Sequence, residues 1–199
     1  FPVMLKALFV GLGGRNGLLV FDGLLLGTGA VLVWRDMRRA HGGLEGRTFA
    51  LMGLESALYA AVFGVVVGSL TSLVLGVPRM LDAGAASLDL PTRLVTSLGA
   101  GIYEELLFRV ILTGGLLALL HGAFGVRRGA AAPLAVVLSA VIFSAFHYVG
   151  SLGDAFTIQS FTFRAIAGLA FSGLYVTRGL GITAWTHALY DIGITLIQS

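Results

Sequence analysis

The chain of 199 residues contains no cysteine. This absence excludes a disulfide framework, a thiolate nucleophile and a zinc site built on thiolates. Charged residues are also scarce: they make up 12% of the chain, which is about half the fraction in an average soluble domain. The few arginines stand in short loops and form no basic stripe, so we predict no nucleic-acid partner.

Apolar residues are abundant, at 57% of the chain, and the mean hydropathy is +0.94. Several apolar runs approach the ~20 residues that a helix needs to cross a bilayer. They are too long for strands, and they lack the alternation that marks a half-buried strand. The predicted fold is a single all-α domain over residues 1–199, a polytopic transmembrane helix bundle of about six spans, or more if the N-terminus is truncated. The predicted spans lie at about 16–34, 49–77, 93–120, 131–150, 159–177 and 180–197.

Charge alternates between the predicted loops. The loops at 35–47 and 121–129 carry an excess of arginine, whereas those at 78–93 and 150–163 are nearly balanced in charge. By the positive-inside rule, the arginine-rich loops are expected in the cytoplasm. The small size, the 29 glycines and the arginine bias favour a bacterial source. We therefore predict an integral protein of the bacterial inner (cytoplasmic) membrane, in contact with lipid.

Two acids and a base interrupt the third apolar run, in the stretch GAGIYEELLFRVILTGG. An ionisable side chain at membrane depth costs ~2.5–3.5 kcal/mol on insertion scales, so such groups usually face a polar cavity or a partner. Glu105 and Arg109 lie on one helical face and can pair. For these two, a structural ion pair and a chemical role are both open. Glu104 is rotated by about 100° and is the acid left free to work.

Histidines occur in two other predicted spans. Phe143 and His147 are four residues apart in FSAFHY, and His187 and Asp191 are four apart in WTHALYD. A histidine and an aspartate four residues apart, as His187 and Asp191 are, suit either two ligands of one metal or a carboxylate that orients an imidazole. The HExxH arrangement of common zinc proteases is absent from the sequence. Because buried ionisable groups need partners, we predict that a free acid and two imidazoles meet in one polar pocket.

Such a pocket could hydrolyse an amide bond inside or beside the bilayer. A carboxylate can act as general base toward a water, and imidazoles can hold a metal or stabilise a developing oxyanion. No serine or cysteine nucleophile is needed. A non-catalytic membrane scaffold and a small proton-relaying carrier are the alternative functions. A carrier would need a polar stripe through several spans, but Asp22 and Glu55 are the only sizeable outliers from the cluster.

The three motifs, in this order, resemble the signature of the CPBP intramembrane proteases. This family includes the type II CAAX prenyl endopeptidases and the abortive-infection (bacteriocin-processing) proteins. The resemblance covers residues 99–191 and implies an all-helical membrane fold with its catalytic groups inside the bundle. It also implies endoproteolysis by an activated water. By position, Glu104 would activate the water, and His147 and His187 would hold the water, a metal or the oxyanion.

The resemblance also implies supporting roles for Glu105, Arg109 and Phe143. Asp191 stands where many members have asparagine, and its charge favours metal binding over simple oxyanion donation. A divalent metal such as zinc and a metal-free reaction both stay open, and the candidate metal ligands are Glu104, His147, His187 and Asp191. The implied partner is a peptide or protein substrate, bound through its C-terminal or membrane-proximal segment. A non-catalytic scaffold or immunity protein of the same fold is the alternative.

Overall fold

The computed structural model describes residues 13–14, 16–17, 19–20, 23–24, 26–31, 34–35, 38, 45–77, 89–149 and 153–197. Within these ranges the chain forms helices and no strand, which confirms the predicted all-α class. Four of the helices are long and apolar enough to cross a membrane. They are α1 (Gly46–Leu75), α2 (Leu90–Ala123), α3 (Arg128–Phe146) and α4 (Ile158–Ile197). The predicted count of about six spans is not confirmed, and Asp22 lies outside the described residues.

Helix α2 begins at a well-defined cap and changes its winding where the charged motif starts. The Asp89 carboxylate accepts hydrogen bonds from the hydroxyl and the backbone N–H of Thr92, at 2.7 and 3.3 Å. These bonds hold the pKa of Asp89 below its usual value. The helix is α-helical to Glu105, and its next turns, Leu106–Thr113, are π-helical. Such π-helical turns are rare and are found frequently at functional sites.

Helix α4 reverses direction in its middle. A straight helix would separate Phe171 from His187 by about 24 Å, but their ring centroids are 4.5 Å apart. Gly179 lies between them with φ 82° and ψ 174°, a backbone conformation that glycine tolerates best. Helix α4 therefore consists of two antiparallel arms, 158–178 and 180–197, which coincide with the fifth and sixth predicted spans.

Small residues let the helices approach closely around these arms. Helix α1 packs along α4, and its Gly64 and Gly68 lie on the buried face. Helix α3 meets the first arm of α4 where a Cβ atom on Gly168 would lie 3.1 Å from the Cα of Ala140. Close backbone approach at small residues is the usual packing mode of helices in membranes. The core between α1 and α4 is formed by Phe63, Val67, Phe163, Ala167 and Phe171.

Candidate active site

A buried chain of three charged or polar side chains links α2 to the second arm of α4. The Nδ1–H of His187 donates to Oε1 of Glu105 at 2.9 Å, and Oε2 of Glu105 lies 3.1 Å from Nε of Arg109. All three residues are buried. The predicted pairing of Glu105 with Arg109 is confirmed. The bond to His187 was not predicted, because it joins helices that are far apart in the sequence.

The other nitrogen of the same imidazole faces two further carboxylates. Nε2 of His187 lies 3.6 Å from Oδ2 of Asp191 and 4.0 Å from Oε2 of Glu104. Glu104 is buried, whereas the side chain of Asp191 is 30% exposed. Two consecutive acids of α2, Glu104 and Glu105, therefore approach opposite nitrogens of one ring. Asp191 marks the side on which this cluster opens to the surface.

His147 lies at the C-terminal end of α3. Helix α3 ends at Phe146, four residues earlier than the predicted span at 131–150, and His147 forms its C-terminal cap. The Nδ1–H of His147 donates to the carbonyl oxygen of Phe143 at 2.9 Å, which fixes the ring against the helix end. His147 and His187 are close enough to interact electrostatically. Phe143 also contacts the His147 ring edge-on, with centroids 4.9 Å apart.

The buried guanidinium of Arg109 lies near the faces of two aromatic rings. Its Cζ is 4.9 Å from the ring centroid of Phe143 and 5.7 Å from that of Phe171. Ring faces attract a cation, and together with Glu105 they offset the cost of burying one. The two terminal nitrogens of Arg109 have no hydrogen-bond acceptor among the residues that the structure describes. Phe143 therefore lies against Arg109, and its supporting role stays a prediction.

Phe171 was missed by sequence reasoning. It belongs to none of the three motifs, and no local spacing relates it to His187 or Arg109. Its position beside the site depends on the reversal of α4 at Gly179. An apolar residue in an apolar helix carries no signal that would distinguish it from its neighbours.

The cluster has donors of the right types for a metal but not the arrangement. In the described part of the chain, no three histidine, aspartate or glutamate side chains are placed so that they could hold a metal ion together. Nδ1 of His187 is bonded to Glu105, and Nδ1 of His147 is bonded to a backbone carbonyl. Oε2 of Glu104 and Oδ2 of Asp191 lie 4.0 and 3.6 Å from Nε2 of His187, beyond the usual hydrogen-bonding distance. The described side chains therefore form no complete zinc-ligand set, although bonds at Nδ1 of this kind also orient metal-binding imidazoles.

Other charged groups of the helices are paired away from the cluster. Arg178 binds both carboxylate oxygens of Glu55, through Nε at 2.6 Å and Nη2 at 2.5 Å. Arg164 pairs with Asp154 at 2.9 Å and donates to the hydroxyl of Tyr148 at 3.1 Å. Glu55 was predicted as an outlier of the cluster, and its partner is an arginine on α4. These pairs do not extend the site into a polar stripe across the described helices.

A comparison with models of protein families supports the family resemblance that the three motifs predict. The model of the type II CAAX prenyl endopeptidase Rce1-like family matches residues 86–193, which is more than half of the chain. The match contains all the site residues described above, from Glu104 to Asp191. No curated protein and no solved structure matches the chain. The resemblance to the CPBP proteases that the motifs predicted is confirmed.

Proposed function

The chain belongs to the type II CAAX prenyl endopeptidase Rce1-like family, and we propose that it is an intramembrane endopeptidase. Its substrate is a membrane-associated peptide or protein, cleaved in a C-terminal or membrane-proximal segment. The observation that carries the proposal is the 4.0 Å approach of Glu104 Oε2 to His187 Nε2. Two ionisable side chains from different helices are buried together here in an otherwise apolar bundle. A scaffold would gain nothing from this costly arrangement.

Glu104 acts as the general base in the proposed reaction. It takes a proton from a water molecule while the water oxygen forms a bond to the carbonyl carbon of the scissile amide. Glu104 then gives the proton to the amide nitrogen as the C–N bond breaks, so that an acid and an amine leave. Activation of water by a carboxylate requires no metal. No acyl-enzyme forms in this reaction.

The imidazoles stabilise the charge that develops on the carbonyl oxygen. His187 takes this role as an imidazolium, with both ring nitrogens protonated: Glu105 accepts from Nδ1–H, and Nε2–H points toward Glu104 and Asp191. His147 approaches from the end of α3 and holds the water or the substrate carbonyl. Asp191, which is partly exposed, lies where a substrate enters the cluster. A hydrogen-bond donor aimed at a developing oxyanion contributes about 10²–10³ in rate in other hydrolases.

The proposal also places the chain in the bacterial inner membrane. The apolar surfaces of the helices face lipid there, and the substrate reaches Asp191 from the bilayer or its surface. Leu54, Leu58, Val62 and Leu73 of α1 are exposed apolar side chains of this kind.

A comparison of cleavage products tests the proposed function. The purified protein is reconstituted in vesicles with a membrane-protein extract from cells that lack it, and new peptide ends are identified by mass spectrometry. We expect Glu104→Gln to reduce the rate at which new peptide ends form by about 10²–10⁴-fold, because it removes the general base. Glu45→Gln is the control, since Glu45 is an exposed acid outside the cluster.

Two results would contradict the proposal. Cleavage that continues at the wild-type rate in a folded Glu104→Gln protein would remove Glu104 from the reaction. If wild type and Glu104→Gln both produce no new ends but bind the same partner, the chain is a scaffold of the same fold.

A further inference from the structure

We propose that Phe171 and Phe63 are positioning residues for His187. The inference rests on the proposed function, in which His187 stabilises the developing oxyanion. The three side chains form a ring column, defined here as the stack Phe63–Phe171–His187. The ring of Phe171 is stacked on that of His187, with centroids 4.5 Å apart and planes at 19°. The ring of Phe63 is stacked on Phe171 at 4.2 Å and 18°.

The column restricts a motion that the hydrogen bond of His187 leaves open. The bond from Nδ1–H to Glu105 fixes one atom of the imidazole, and the ring can still tilt about that point. A tilt would move Nε2 away from Glu104, which lies 4.0 Å from it. The face of Phe171 blocks this motion because it lies nearly parallel to the imidazole. One contact therefore sets the in-plane position of the ring, and the other sets its plane.

Phe171 is itself held from both sides. Phe63 and His187 are both nearly parallel to it at stacking distance, so they occupy its opposite faces. The edge of Tyr190 contacts Phe63 at 5.1 Å. Tyr190 lies about one helical turn after His187, so Phe63 of α1 contacts both arms of α4, the first through Phe171 and the second through Tyr190. The column thus links the orientation of His187 to the packing of α1.

Phe63 lies outside the segment that the family model matches, residues 86–193. The motifs of the family come from α2, α3 and α4, whereas the column begins on α1. The orientation of His187 in this chain therefore depends on a helix that the motifs do not include.

Leucine substitutions test the column, because leucine fills much of the space but has no ring face. In Phe171→Leu we expect kcat to fall by roughly 10–100-fold with KM little changed. Small misplacements of catalytic groups lower reaction rates by up to about 10²-fold. Phe63→Leu is expected to lower kcat less, because it leaves the contact between Phe171 and His187 in place. The matched control is Phe163→Leu. Phe163 is buried in the same core cluster but is not part of the column.

A second readout does not depend on catalysis. Protons above an aromatic face resonate upfield, so histidine-labelled protein in detergent micelles should show upfield ring-proton signals from His187, assigned with His187→Gln. We expect Phe171→Leu to move them downfield, and Phe163→Leu to leave them unchanged. Phe171→Tyr keeps the ring and should restore most of the kcat that Phe171→Leu loses.

The outcomes separate the column from the proposed function. His187 signals that do not move in Phe171→Leu would overturn the column. Signals that move while kcat stays at the wild-type value, with Glu104→Gln inactive, would overturn the positioning role and leave the endopeptidase in place. An active Glu104→Gln protein would instead overturn the proposed function. If Phe171→Leu does not fold, Phe63→Leu is measured in its place. The proposal is overturned if its His187 ring-proton signals and its kcat both equal those of Phe163→Leu.

Discussion

Gly101 of α2 and Ala188 of α4 are in backbone contact. A Cβ atom on Gly101 would lie 2.5 Å from the backbone nitrogen of Ala188 and 2.7 Å from its Cα and Cβ. Glu104 follows Gly101 by about one helical turn, and His187 directly precedes Ala188. The distance between the acid and the imidazole is therefore set by how closely these two helix backbones approach.

A methyl group at this crossing is expected to separate the helices. Because the facing atoms belong to the backbone, Gly101→Ala cannot be accommodated by a side-chain movement, and we expect it to cost about 1–3 kcal/mol of stability. Thermal unfolding in detergent measures the loss, and cleavage should fall with it as Glu104 moves away from His187. Gly99→Ala is the control, because a Cβ atom there meets nothing within 4 Å. Equal stability and activity of the two variants would show that the crossing is not tight.

The reversal of α4 depends on Gly179. Its φ of 82° and ψ of 174° lie in a region that residues with a Cβ atom rarely adopt. We expect Gly179→Ala to destabilise the protein by about 1–3 kcal/mol through backbone strain. Gly173→Ala, in the first arm with open space around its Cα, should have no such cost. Thermal unfolding of both variants checks this, and an unstrained Gly179→Ala protein would contradict the turn geometry.

The helical class, the ends of the α4 arms and the pairing of Glu105 with Arg109 could all be predicted from the sequence. Each depends on information within a few residues: apolar runs of a certain length, or a spacing of four. The end of α3 was placed too late, because apolar residues continue past the point where His147 caps the helix.

The contacts that complete the site could not be predicted in this way. The bond from His187 to Glu105 and the stack of Phe171 on His187 join residues whose proximity depends on how the helices pack. Phenylalanine is common among the apolar residues of the chain, so Phe63 and Phe171 carry no distinguishing mark. The π-helical turns after Glu105 have no sequence signal that separates them from an α-helix. These features follow from tertiary contacts alone.

The pair formed by Glu55 and Arg178 bears on the carrier hypothesis. The side chains of both residues are partly exposed, at 27% and 47%, and they bind each other through two hydrogen bonds. A carboxylate engaged in this way does not pass protons toward the cluster at Glu104. We expect no proton flux in sealed vesicles, measured with a pH-sensitive dye under an applied membrane potential, for wild type or Glu55→Gln. A proton current that Glu104→Gln abolishes would support the carrier instead.

Chelation tests whether the reaction involves a metal. No three described side chains around His187 form a set that could hold a metal ion. We therefore expect cleavage to be unchanged after dialysis against a chelator and after addition of zinc. Elemental analysis of the purified protein is the accompanying measurement. Activity that is lost on chelation and restored by zinc would show that His187 and Asp191 rearrange to bind the ion.

The two roles that the sequence leaves open for Glu105 and Arg109 can be separated by a double substitution. Glu105→Leu alone leaves a buried arginine without its partner, which is expected to cost about 3–5 kcal/mol. In Glu105→Leu/Arg109→Met both charges are replaced by apolar side chains of similar size, and most of the stability should return. Thermal unfolding in detergent measures both effects.

Cleavage should not return with the stability. The double variant still lacks the acceptor for Nδ1–H of His187, so the imidazole loses the contact that aims Nε2 at Glu104 and Asp191. We expect kcat to remain roughly 10²-fold below wild type. The matched control is Glu55→Leu/Arg178→Met, which removes an ion pair away from the site and should keep both stability and activity. If the Glu105→Leu/Arg109→Met protein regains stability and cleavage together, Glu105 acts only as a structural partner of Arg109. His187 would then be oriented by its other neighbours.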